Sequence, residues 1–190
     1  MTHTPKRVLE NPCFSRRRFL RGCAALGGML VASPLLAAQS EGESRILAFR
    51  HTHTGERKRV TYWRDGEYLK ENLQLLDHLL RDHRTGESIA MDRTLLDMLY
   101  RLQQGIDGGS EFEIISAYRS PKTNKMLRNK SNGVAKRSLH MQGRAIDVRL
   151  CGCDLKELRD RAVAMKAGGV GYYPKSNFIH VDTGHFRYWS

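Results

Sequence analysis

The chain has 190 residues and carries 32 Lys and Arg against 20 Asp and Glu, a formal net charge of +12. That length suits one domain with a tail and leaves little room for a second core. Of four cysteines only Cys151 and Cys153 lie beyond residue 38, and a bridge across one residue is strained, which excludes a disulfide-stapled scaffold.

The first 38 residues read as an export signal rather than part of the domain. Ser15-Arg16-Arg17-Arg18-Phe19-Leu20 precedes an apolar, small-residue run from Gly22 to Ala38. A basic start, a short hydrophobic stretch and small residues at its end make a secretory signal, and the paired arginines point to the twin-arginine export machinery. The run is near the lower length limit for a span and is broken by Gly27, Gly28 and Pro34, so no stable membrane span is expected unless the signal is retained. Cleavage after Ala38 is the expectation. Leu36, at the third position back, departs from the small-x-small pattern and leaves retention open. Removing residues 1–38 takes away six basic side chains and one acid, lowering the formal charge to +7.

Residues 39–44 read as a polar lead-in and 45–190 as the domain. Ile46 to Phe49 and Val60 to Trp63 are expected strands flanking a turn at Thr54-Gly55. Leu73, Leu76, Leu79 and Leu80 give Asn72 to His83 a helical spacing. Asp92 caps a second helix that turns Leu95, Leu96, Leu99 and Leu102 inward, and Gly105 to Gly109 ends it. Phe112 to Ala117 is β-rich, and Pro121 opens a basic helix through Asn129. After the polar stretch Ser131 to Ser138 come a strand at Ala145 to Leu150 and a helix from Asp154-x-x-Glu157 to about Lys166. Strands at Gly168 to Tyr173, Phe178 to Asp182 and Phe186 to Trp189 follow. This order predicts a single α+β domain: an antiparallel sheet with helices packed on one face.

Alternation along two of these strands singles out a set of chemical groups. In Ala145-Ile146-Asp147-Val148-Arg149-Leu150 the aliphatic residues take one face and Asp147 the other. In Phe178-Ile179-His180-Val181-Asp182 the residues His180 and Asp182 share the face opposite Ile179 and Val181. His140 lies seven residues before Asp147, and Gly143 between them allows the sharp turn that folds a loop histidine back over the strand. Two imidazoles and a carboxylate with a fourth position open match a catalytic zinc set. Such a site lowers the pKa of water towards about 7 and polarises an amide carbonyl.

Ser138-x-His140-x-x-Gly143-x-Ala145-x-Asp147, then His180-Val181-Asp182, preceded by Ser116-Ala117-Tyr118-Arg119-Ser120, resembles the M15 peptidases, the group of D-Ala-D-Ala metallopeptidases, murein endopeptidases and the hedgehog domain. The likeness runs from about Arg45 to Trp189 and is closest to a twin-arginine-exported murein endopeptidase subgroup. It implies a hedgehog/D-Ala-D-Ala peptidase-like fold, zinc held by His140, Asp147 and His180, and Arg119 and Ser120 facing substrate. It further implies hydrolysis of an amide bond in peptidoglycan cross-links, at links between diaminopimelate residues, in the periplasm or cell envelope. A guanidinium at Arg119 suits a stem-peptide carboxylate, and the basic charge suits an anionic wall.

Many relatives carry a histidine or acid two or three positions before the last ligand, where this chain has Phe178 and Asn177. The general base must then come from elsewhere. Asp182 is the first candidate, with a role as acceptor that orients His180 as its alternative. Asp182-x-x-His185 makes His185 a rival ligand, and His51-Thr52-His53 is a weaker chelating pair. A carboxypeptidase on stem peptides, or a non-catalytic zinc module that binds wall peptide or protein, stays open as the alternative function. Nucleic acid is not an expected partner, since Lys122, Lys125, Arg128 and Lys130 are accounted for by a solvated helix face or by wall contact.

Overall fold

The computed structural model describes residues 42–104, 106, 111–131 and 133–190. The expected signal, the first half of the lead-in and most of the Gly105 to Gly109 terminator lie outside these residues. Among the described residues no helix is long and apolar enough to cross a membrane.

Eight strands form one sheet. They are β1 (Ser44–His51), β2 (Arg57–Arg64), β3 (Glu67–Tyr68), β4 (Phe112–Ser116), β5 (Ala145–Leu150), β6 (Gly169–Tyr173), β7 (Phe178–Asp182) and β8 (Arg187–Trp189). Their spatial order is β3-β2-β1-β4-β5-β7-β6-β8. The sheet is antiparallel apart from β1 against β4 and β6 against β8. The first of these parallel pairs is joined by a connection that runs through β2, β3 and two helices, long enough for the crossover that parallel strands need.

Helices α1 (Lys70–Leu79), α2 (Arg93–Gln104) and α4 (Leu155–Met165) cover one face of the sheet. Leu76, Leu79, Leu95, Leu96, Leu99 and Leu158 are at most 2% exposed and pack with Phe49, Phe112, Ile114, Ile146, Val148 and Ile179 in one core. Each such side chain contributes roughly 1.5–3 kcal/mol on burial. The fold is the α+β domain that the strand and helix order predicts, with helices layered on one face. The opposite face, left open by that layer, carries the polar residues of β5 and β7.

Two local differences from the sequence reading bear on the site. Helix α1 stops at Leu79 rather than His83, because Asp82 turns inward: it is 1% exposed and accepts the backbone N–H groups of Arg84 and Ser120, each at 2.9 Å. That carboxylate ties the end of α1 to the start of α3 (Pro121–Lys130). Ser120, expected to face substrate, is fully buried instead and caps α3, its Oγ accepting the Thr123 N–H at 3.2 Å. An N-cap before a proline at the first helical position accounts for that serine.

Candidate metal centre

Strand register brings the two predicted strand ligands face to face. β5 and β7 pair antiparallel with Asp147 directly opposite His180. His140 sits in a short 3-10 turn, Leu139–Gln142, that ends at Gly143 with φ +67°. A Cβ at Gly143 would lie 2.8 Å from the Ala90 carbonyl oxygen. Only glycine therefore fits both the left-handed backbone and the close approach, and the turn folds His140 over β5.

Three donor atoms converge there. His140 Nε2 is 3.2 Å from His180 Nδ1 and 3.3 Å from Asp147 Oδ1, and His180 Nδ1 is 2.9 Å from the same oxygen. Among the described residues this is the one group of three or more metal-ligating side chains whose ligand atoms lie within 4.8 Å of one another.

The backs of both rings define their tautomers. His140 Nδ1 lies 2.7 Å from the Ala117 carbonyl, which only accepts, so that nitrogen carries the proton and Nε2 offers a lone pair inward. His180 Nε2 lies 2.8 Å from Asp182 Oδ2 and donates to it, which frees Nδ1 when the ring is neutral. Two lone pairs and a carboxylate facing one another at about 3 Å repel unless a cation lies between them, and the donor set fits zinc.

Without a metal, a proton takes that role. Burial opposes charge on His180, but hydrogen bonds to Asp147 and Asp182 prevail and push its pKa from 6.5 up to about 9. Burial likewise opposes ionisation of Asp147, yet the His140 and His180 rings hold its carboxyl well below the usual range. A raised histidine pKa stabilises the folded metal-free protein below pH 6.5, and that contribution is lost as pH rises through 9. The melting temperature of chelated protein should therefore fall between pH 6.5 and 9. Zinc affinity, followed with a competing chelator dye, should rise over the same range as the competing proton leaves.

Asp182 lies behind His180, not in front of the donor cluster. It is fully buried and engaged by His180 Nε2, by the Arg187 guanidinium at 2.6 and 3.0 Å, and by the N–H groups of Gly169 and Gly184. Burial would raise its pKa, but these donors together depress it. His185, the rival ligand, is exposed and stands outside the cluster. His51 is buried with Nδ1 accepting the His53 and Thr54 N–H groups, so its outer nitrogen keeps the proton and offers no lone pair. No disulfide joins Cys151 and Cys153.

The cluster opens into a cleft of ≈ 570 Å³. Arg119 lines it and is 11% exposed at the side chain, with every polar contact long: 3.6 Å to Asp147 Oδ2 and 3.5 Å to both Ser116 Oγ and Asn124 Oδ1. Its buried Nε–H has no partner. A buried guanidinium without a short hydrogen bond is costly unless an anion or carbonyl completes it. Arg137, Arg187, Tyr173, Phe178 and Trp189 also line the cleft. The sequence reading gave them no role, although Tyr173 and Phe178 alternate onto the faces of Gly171 and His180 and could have been read from that.

Comparison with known proteins identifies the family. Residues 39–189 match the family described as "Peptidoglycan L,D-endopeptidase MepK". The peptidoglycan L,D-endopeptidase MepK of Escherichia coli strain K12 is 42% identical over 176 residues, covering 92% of this chain and 97% of that protein. The probable peptidoglycan L,D-endopeptidase MepK of Haemophilus influenzae is 42% identical over 177 residues, covering 92% and 95%. No solved structure matches the chain.

Proposed function

The chain belongs to the MepK family of peptidoglycan L,D-endopeptidases, and from that premise we propose that it hydrolyses an amide bond in peptidoglycan cross-links with zinc held by His140, Asp147 and His180. The observation that carries this reading is the convergence of two imidazole lone pairs and a carboxylate on one point at the head of an arginine-lined cleft. Zinc bound there supplies Lewis acidity toward an amide carbonyl and toward water.

The chain's own residues account for placement and charge. The Ala117 carbonyl fixes the His140 tautomer, and Asp182 fixes that of His180. Arg119, 3.6 Å from Asp147, lies at the edge of the donor cluster with only long contacts at its terminal nitrogens and no partner at its buried Nε–H. It grips a stem-peptide carboxylate, or the carbonyl oxygen as negative charge grows on it. Asp182 acts through His180, as the acceptor that orients it, because its oxygens are already occupied by His180, Arg187 and the Gly169 and Gly184 N–H groups.

Replacing Asp182 by asparagine keeps the shape but removes the carboxylate that holds His180. Zinc affinity should fall about 10–100-fold, measured by competition with a chelator. If affinity holds while activity is lost, Asp182 is the general base after all.

The twin-arginine motif Arg16-Arg17, outside the described residues, supports export to the periplasm, where cross-links are found. Changing both to lysine should hold the protein in the cytoplasmic fraction; unchanged export would remove that part of the proposal.

The activity itself is tested by digesting purified cross-linked muropeptides and separating the products by chromatography and mass spectrometry. Cleavage that stops with chelator and returns with zinc is expected, and the masses name the bond. Intact dimers after incubation with folded, zinc-loaded protein would overturn the proposal.

A further inference from the structure

One wall of the cleft is aromatic, and the mechanism makes no use of it. β6 and β7 pair with Gly171 opposite His180 and Tyr173 opposite Phe178. These four residues therefore share one sheet face, and the aromatic pair lies one two-residue step, about 6.6 Å, beyond the metal ligand. The Tyr173 and Phe178 rings stack with centroids 4.7 Å apart at 23°.

Trp189 completes the wall. It sits opposite Gly171 in the parallel β6–β8 register, and its indole fills the space that a Cβ at Gly171 would need, 2.6–2.7 Å from that point. A side chain at Gly171 would push the indole away. The Trp189 Nε1–H donates to the Tyr173 hydroxyl at 2.8 Å, and the indole lies 5.2 Å from the His180 ring. Arg187, which grips Asp182, has its guanidinium 5.0 Å from the same indole. The three rings thus form a pinned surface that starts at a metal ligand and runs outward to Tyr173, which is 36% exposed.

We propose that Tyr173, Phe178 and Trp189 form a subsite for a pyranose ring of the glycan strand that bears the stem peptide. The proposal rests on peptidoglycan as the substrate. Stem peptides offer carboxylates, amines and small aliphatic groups, which the arginines and the metal centre address, and none of these calls for three aromatic rings. A sugar ring does, because it presents an apolar C–H face to an aromatic surface and hydroxyls at its edge to polar tips such as the Tyr173 hydroxyl. The reach also agrees: two or three stem residues span at most about 7–10 Å. That reach covers the step of about 6.6 Å along the strand from the metal ligand to the Tyr173 and Phe178 pair. The enzyme then reads the link together with the sugar from which it hangs.

The test compares kcat/KM of the zinc-supplemented protein on cross-linked dimers that carry their disaccharides and on the same dimers stripped of sugar. The wild-type protein should prefer the sugar-bearing dimers by about 3–10-fold, the ratio one aromatic contact supplies. Tyr173→Ala should bring that ratio close to one. Equal rates on both substrates by the wild-type protein overturn the subsite and leave the peptidase reading intact.

Cleavage of neither substrate overturns the peptidase reading, and binding of peptide-free glycan strands to the wild-type protein, followed by titration calorimetry, then decides the subsite. Binding supports it and no binding rejects it. The same titration serves if Tyr173→Ala fails to fold.

Discussion

His180→Ala will strip zinc from the protein and lower cross-link hydrolysis by more than about a thousandfold, because a Lewis acid worth several kcal/mol leaves with its ligand. The loss should be deeper than removal of one donor suggests. His180 is the bridge between Asp147 and Asp182, so the substitution leaves two buried carboxylates without their shared partner. His185→Ala should behave as wild type in both zinc content and rate, since that ring is exposed and outside the cluster. Metal analysis and a muropeptide assay on the two variants check both halves. A His180→Ala protein that keeps its zinc and its rate would mean that the donors lie elsewhere.

Arg119→Lys should cost about 10²–10³-fold in kcat/KM while leaving zinc bound. Lysine keeps the charge but loses the planar fork, and the site is built for the fork: the guanidinium is buried and lies 3.5–3.6 Å from three different side chains without a short bond to any. If the fork holds a carboxylate in the ground state, the loss falls on KM. If it meets charge developing on the carbonyl oxygen, the loss falls on kcat. A rate within threefold of wild type would instead reduce Arg119 to a structural partner of Asp147.

Much of this site is readable from strand alternation. The pattern Ala145 to Leu150 puts Asp147 opposite an aliphatic face, and Phe178 to Asp182 does the same for His180. Gly143 announces the turn that brings His140 back. These are local signals, in which each side chain's direction follows from its neighbours.

The rest depends on contacts distant in sequence. Nothing in either strand says that Asp147 pairs with His180, or that β1 joins β4 in parallel, because register belongs to the whole sheet. The helix spacing of Leu73 to Leu80 likewise cannot show that Asp82 turns inward to meet Ser120, which ends α1 early and makes Ser120 a buried cap. Alternation placed Asp182 on the face of His180 but not which oxygens would be occupied. The Arg187 guanidinium and the Gly169 and Gly184 amides answer that, and all three come from chain that folds back after or before β7. Trp189 likewise meets Tyr173 only through the parallel pairing of β8 with β6.

One zinc ion held by His140, Asp147 and His180 is what the proposed chemistry requires. The most direct measurement is X-ray absorption at the zinc edge, with metal stoichiometry, on wild-type protein and on His180→Ala and His185→Ala. One zinc per chain is expected, with two imidazole nitrogens and carboxylate oxygen in its shell, retained in His185→Ala and lost in His180→Ala. Zinc bound through sulfur, or zinc lost from His185→Ala but kept by His180→Ala, would contradict it.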